Sequence, residues 1–155
     1  MPLADHGLEI LSEDDCRQLL RQAVAGRVGL SIRALPVIPP VNYVLIDDRI
    51  TFWTAPGMKL DAAQSHTVVA FEVDHIDEAC RCGWSVLVVG VATLTKDPET
   101  LDRAHRAGLH RWVHGDRPYL VQVPVDFISG RRIITDADDM AALTRSAPTS
   151  TPTVV

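Results

Sequence analysis

Lysine is nearly missing from this 155-residue chain: Lys59 and Lys96 stand beside thirteen arginines. There is no basic cluster and the formal net charge is -5, so a nucleic-acid partner is not expected. Long apolar runs are lacking as well. Each breaks well short of the roughly 18 residues that would span a bilayer, so no transmembrane helix and no membrane partner are expected. Residues Met1 to Glu9 carry Asp5 and Glu9 and no apolar centre, which argues against a secretion signal and for a cytoplasmic protein. Cysteine is scarce. Cys16, Cys80 and Cys82 make an odd count, and an odd count without an export signal points to reduced thiols. Cys80-Arg81-Cys82 with His75 nearby matches no common zinc spacing and has no second ligand pair, so no metal site is expected.

Familiar catalytic signatures are also absent. Neither G-x-G-x-x-G nor G-x-x-x-x-G-K-[ST] occurs, and no G-x-S-x-G elbow marks a hydrolase nucleophile. The histidines His6, His66, His75, His105, His110 and His114 are scattered with no paired acceptor pattern. No side-chain set is suited to acid–base or covalent work, and no catalytic residue can be assigned. If the protein is an enzyme, a bound cofactor must carry the reaction.

What is present describes one globular domain. Hydrophobic content of 46% and charged content of 23% are ordinary values, and the length is enough to bury about two-thirds of the unfolded surface. Ser12 caps a helix whose apolar positions are Cys16, Leu19, Leu20, Ala23 and Val24, and Gly26 is read as its stop. Strands are expected over Arg27 to Ala34, Val41 to Ile46 and Arg49 to Thr54, the last two joined by a tight Asp47-Asp48 turn. Thr67 to Val73 reads as a buried strand, Asp74 to Gly83 as a polar loop, and Trp84 to Thr95 as the longest strand, with a bend or bulge at Gly90. Asp97 caps a helix opened by Pro98, and strands follow over Tyr119 to Val125 and Ile128 to Thr135. Residues 1–10 form an N-terminal arm, 11–139 the domain, and 140–155 a Ser/Thr/Pro-rich tail expected to be disordered. Strands and helices do not alternate regularly, so the expected class is mainly β (α+β): an antiparallel barrel with a few peripheral helices.

The most informative segment is Thr54-Ala55-Pro56-Gly57-Met58-Lys59-Leu60. A strand ends at Thr54, turns at Pro56-Gly57 and enters a short helix. A lysine in a first helical turn is poorly placed for helix stability, because cations favour the other end. Beside an anion the placement makes sense: unpaired amides, the Thr54 hydroxyl and the ammonium converge on a phosphate. His66, just beyond that helix, is a secondary candidate for the same pocket.

These segments, in this order, resemble the pyridoxamine 5'-phosphate oxidase-like flavin-binding split barrels, and in particular a small actinobacterial and nitroimidazole-reductase-like branch. The resemblance is carried by Gly26-Arg27-Val28-Gly29-Leu30, Pro40-Val41-Asn42-Tyr43, Phe52 to Leu60, Val69 to Asp74, Gly83-Trp84-Ser85-Val86 and Ser129-Gly130-Arg131-Arg132-Ile133. It implies a six-stranded antiparallel split barrel, a homodimer, and FMN near the subunit interface. It also implies that Val41, Asn42 and Tyr43 lie along the flavin ring, that Thr54, Ala55, Gly57, Met58, Lys59 and Leu60 hold phosphate and ribityl oxygens, and that Trp84 and Ser85 approach the ring edge. The implied activity is FMN-mediated oxidoreduction of a small nitro- or quinone-like molecule with NAD(P)H as a donor. The alternatives are a non-catalytic flavin-binding or sensing module, or a relative that binds F420 or haem. Ile38-Pro39-Pro40 stands where the oxidase proper has an arginine, so vitamin B6 oxidation is not implied.

Overall fold

Period-two alternation of apolar and polar residues makes most of this chain extended, and three capped segments make the rest helical. A computed structural model describes residues 3–4, 7–109 and 119–134. In chain order the elements are β1 (Leu3–Ala4), β2 (Leu8–Ile10), α1 (Glu13–Gln22), β3 (Ala25–Ile32), β4 (Leu35–Val37), β5 (Pro40–Asn42), β6 (Val44–Ile46) and β7 (Arg49–Thr54). They continue with α2 (Met58–Gln64), β8 (Val68–Asp77), β9 (Cys82–Val91), β10 (Thr93–Thr95), α3 (Pro98–Arg106), β11 (Tyr119–Pro124) and β12 (Phe127–Ile133). The expected tail, and with it His110 and His114, lies outside the described residues.

The strands pair antiparallel throughout, in two sheets. The large sheet runs β1-β2-β12-β9-β8-β3-β4, with β5 also paired to β3; the small sheet runs β10-β11-β7-β6. Strands of six residues or more are β3, β7, β8, β9, β11 and β12, which are the six long strands of a mainly β split barrel. The other described strands are edge or corner segments of two or three residues.

Two expected strands are broken where the chain passes between sheets. Val41 to Ile46 divides at Tyr43: β5 pairs with β3 in the large sheet and β6 with β7 in the small one. Trp84 to Thr95 divides at Ala92 in the same way, β9 pairing with β8 and β12, and β10 with β11. A strand that serves two sheets must turn a corner, and side-chain pattern carries no sign of it. The polar stretch Asp74 to Gly83 is a hairpin rather than a loop. Its ladder continues to Asp77↔Cys82, leaving residues 78–81 as the turn, because backbone pairing persists where both faces are wet. Gly26 does not stop α1, which ends at Gln22 with Ala23 as its C-cap; it lies within β3 beneath the Phe71 ring, where a Cβ would collide.

One apolar core fills the space between the sheets, including Val28, Phe52, Phe71, Val86, Val88, Val121 and Val123, and α1 covers it with Cys16 and Leu20. A smaller cluster beneath α3 joins Ala104 and Leu109 to Trp53 and Leu120. The caps are as the sequence suggests: Ser12 Oγ accepts from the Asp15 amide at 3.2 Å and Asp97 from the Thr100 amide at 2.9 Å. Asp47 and Asp48 both take positive φ in the β6–β7 turn, 49° and 56°, as a type I′ hairpin requires. Arg103 of α3 binds Asp47 and Arg17 of α1 binds Asp48, so this turn holds both helices. The Arg103 guanidinium keeps the Asp47 carboxyl below the usual carboxylate range.

Gly90 pairs regularly with Val69, so it marks no bulge. It lacks a side chain because the carbonyl oxygen of Pro124, from the small sheet, lies against it. A backbone oxygen cannot swing aside. Gly90→Ala is therefore expected to cost about 1–3 kcal/mol, read as a lower urea midpoint at unchanged slope.

Candidate functional site

β7 sits between β11 and β6, and its last residue, Thr54, pairs with Tyr119. Thr54 is buried and its hydroxyl donates to the Ala55 carbonyl at 3.1 Å. The chain then turns through Pro56 to Gly57, whose φ of 142° and ψ of -165° fall in a region open essentially to glycine alone. The Asp61 amide donates to the Gly57 carbonyl at 3.0 Å, and α2 begins. Gly57 offers no capping side chain, and a Cβ built on it would meet nothing within 4 Å. Thr54, Ala55, Pro56, Gly57, Met58 and Lys59 line a concavity of about 280 Å³. Lys59 is the titratable residue in that lining, and first-turn amides have no partner inside a helix.

The helix is firmly seated. Leu60, Ala62 and Ala63 are buried, the Thr67 amide donates to Ala62 O at 2.9 Å, and the Ala92 amide to Thr67 O at 3.0 Å. The far end of α2 is thus tied to one of the two corners.

The structure brings together five of the residues expected to bind a cofactor: Thr54, Ala55, Gly57, Met58 and Lys59. Pro56 joins them, and the Pro-Gly dipeptide was its signal in the sequence. Leu60 lies outside the lining, buried beneath α2, and acts as the helix anchor. Val41 is in the core, Asn42 is half-buried opposite Ala25, and β5, which carries both, touches β7. Tyr43 is a corner pin: its hydroxyl donates to the Leu20 carbonyl at 2.6 Å, and its ring meets Phe71 edge-on at 4.7 Å. Burial pushes its phenol well above the ordinary value.

Trp84 and Ser85 sit toward the other end of β9. Val91 is the end nearest α2, and seven residues of strand separate it from Trp84, roughly 23 Å. The two also face opposite ways: Trp84 packs on the core, whereas Ser85 is exposed on the outer face. Within one protomer neither reaches the concavity. His66 lies past the C-terminal end of α2, exposed and with φ of 51°, away from the lining. Arg132 binds Glu9 at 3.2 Å and Arg131 is exposed on the opposite face.

The cysteines depart from expectation. Cys80 and Cys82 are joined by a disulfide, because the hairpin turn places their Cα atoms 5.2 Å apart; Cys16 alone is a free thiol, and burial pushes it up. Asp77, Cys80 and Cys82 form a cluster with ligand atoms within 4.8 Å of one another, but its sulfurs are bonded to each other and His75 is not part of it. Among the described residues, no helix is long and apolar enough to cross a membrane.

The order of these elements has known counterparts. The family profile described as pyridoxamine 5'-phosphate oxidase matches residues 12–132. The chain belongs to the pyridoxamine 5'-phosphate oxidase family. Within it, the chain is 36% identical over 132 residues to the uncharacterized protein Rv0080 of Mycobacterium tuberculosis, covering 82% of this chain and 86% of that one. The solved structure of the FAD binding protein from Mycobacterium smegmatis is 34% identical with a TM-score of 0.65, covering 81% of this chain and 97% of that one. A pyridoxamine 5'-phosphate oxidase-like structure from Corynebacterium glutamicum shares the fold, with a TM-score of 0.70 at 24% identity over 86% and 98% of the two chains.

Removing the Tyr43 hydroxyl leaves the buried Leu20 carbonyl without that donor. Tyr43→Phe should lower unfolding free energy by about 1–2 kcal/mol in urea titration.

Proposed function

We propose that this chain is a flavin-dependent oxidoreductase that holds FMN by its phosphate in the Thr54–Lys59 concavity. The observation that carries this reading is the turn itself. A glycine-only conformation, first-turn amides and one of the chain's two lysines border a single open space. That donor set suits a phosphate monoester: backbone N–H groups aim along the helix axis and the ammonium supplies the countercharge. Met58 and Ala55 line the space beside the adjoining chain. β5, which carries Val41 and Asn42, packs against β7, and we assign to it and to Tyr43 the backbone contacts with the ring. Membership of the family supports the reading, as does the FAD-binding relative at 34% identity. That relative makes FAD the competing cofactor.

The concavity, at about 280 Å³, lies at the small end of ligand sites. It fits a phosphate and part of its tail, so the ring must rest on a further surface. We assign that surface to a second copy of the chain. The outer face of the large sheet carries a register row of Phe127, Val89, Ala70 and Gly29, flanked by Val91 and Val68. Phe127 and Val68 are each 61% exposed, an apolar patch suited to self-association. Ser85 lies on this same face, so association would supply what one protomer lacks.

When bound, the flavin would supply hydride or electron transfer to a small nitro- or quinone-like acceptor, with NAD(P)H as donor. The protein's part is to bind, orient and exclude water. Lys59 is the one charged side chain in the lining and is assigned to the phosphate, so no protein acid or base is assigned there. The same scarcity favours a second reading, a flavin-binding protein without turnover.

Losing one charge-assisted contact should weaken flavin binding about ten- to a hundredfold in Lys59→Ala, measured by fluorescence titration. A wild-type protein that binds neither FMN nor FAD at micromolar concentration would end the proposal. The mass of the released chromophore distinguishes the two cofactors, and NADPH oxidation with a nitroaromatic acceptor distinguishes enzyme from binding protein. Phe127→Asp should convert the dimer to a monomer in sedimentation and lower flavin occupancy with it; unchanged mass would refute the interface.

A further inference from the structure

Far from the Lys59 concavity, the tip of the β8–β9 hairpin carries two sulfurs that the oxidoreductase reading does not use. We propose that Cys80 and Cys82 are a reversible dithiol–disulfide site that exchanges with small-molecule thiols and disulfides. The inference is independent of the flavin.

The turn is held together without the sulfurs. The ladder runs to Asp77↔Cys82, and Asp77 Oδ1 accepts from the Ala79 amide at 2.9 Å and the Cys80 amide at 3.4 Å. Arg81 completes the reversal in the left-handed region, with φ of 50°. These backbone devices place the cysteine Cα atoms 5.2 Å apart, inside the 4.4–6.8 Å range that a disulfide spans. A dithiol here would stay poised for closure after reduction.

The bridge has little to do as a staple. A cross-link stabilises more the longer the chain it closes, rising with the logarithm of that length, and this one encloses a single residue. The hairpin is already registered along ten residue pairs. The sulfurs are also reachable. Cys80 and Cys82 are half-buried, and Asp77, Glu78, Ala79 and Arg81 around them are exposed. Cys16 is the contrast, wholly buried in the core and closed to exchange.

Closure breaks two S–H bonds and forms one S–S bond, releasing two electrons and two protons. A low-molecular-weight disulfide accepts them. One cysteine thiolate attacks it, one small thiol leaves, and the second cysteine displaces the other from the mixed disulfide.

The test uses the full-length protein equilibrated in glutathione buffers of graded ratio, quenched with acid, alkylated and read by mass spectrometry. Cys80 and Cys82 should acquire label together in one two-electron transition that reverses when the buffer is exchanged, with Cys16 silent in the folded protein. Cys82→Ser should instead accumulate a stable glutathione adduct on Cys80. Asp77→Ala frees the turn, and by the loss of about one hydrogen bond should lower the closure constant about fivefold while the circular dichroism spectrum stays native. A pair that stays reduced in fully oxidised glutathione overturns the proposal. So does a pair that stays bridged under excess dithiothreitol in the folded protein, and a closure constant unmoved by Asp77→Ala.

Discussion

One direct backbone contact between the two sheets is the constraint around which the core is arranged. At that point the Pro124 carbonyl of β11 lies on Gly90 of β9, with no side chain between them. Sheets normally pack about 10 Å apart, their side chains interdigitating between them. Away from that contact, the apolar residues of both inner faces fill the space between the sheets. Within two extended segments the chain crosses from one sheet to the other. It does so at Tyr43 and at Ala92, both buried, each ending one short strand and starting another.

The position of the candidate site follows from this arrangement. β7 belongs wholly to the small sheet, with five of its six residues buried, so its end is a fixed ledge. From that ledge the chain has room for three residues before α2 must lie down over the core with Leu60 beneath it. Gly57 takes a conformation closed to other residues in order to make that entry, and the residues on either side of it line the concavity. The special backbone of Gly57 and the position of the concavity thus come from one constraint. The two sheets supply the framework, and in the proposed function a bound cofactor would supply the reactivity.

Much of this was readable in the residues. The Thr54 strand end, the Pro56-Gly57 turn, the Lys59 helix start, the Ser12 and Asp97 caps and the Asp47-Asp48 turn each rest on local chemistry, and local chemistry is what a sequence displays. What the residues do not display shares a cause. The corner that Tyr43 pins depends on Leu20 and Phe71, which come from other elements. Gly26 looks like a helix stop until Phe71 is seen above it, and Gly90 looks like a bulge until Pro124 is. The polar hairpin from Asp74 to Gly83 hides its ladder because backbone pairing leaves no mark on side-chain character. Trp84 and Ser85 are adjacent in sequence, yet the pleat sends them to opposite faces.

Six consecutive residues line the concavity, but the ledge from which they start is not local. Thr54 is paired with Tyr119, across the whole of β8, β9, β10 and α3. As the polypeptide emerges during synthesis, the Thr54–Lys59 segment is made early and then has to wait. Its shape is settled only once the strand carrying Tyr119 arrives, so a chain cut short in the second half would lose the cradle while keeping every residue that forms it.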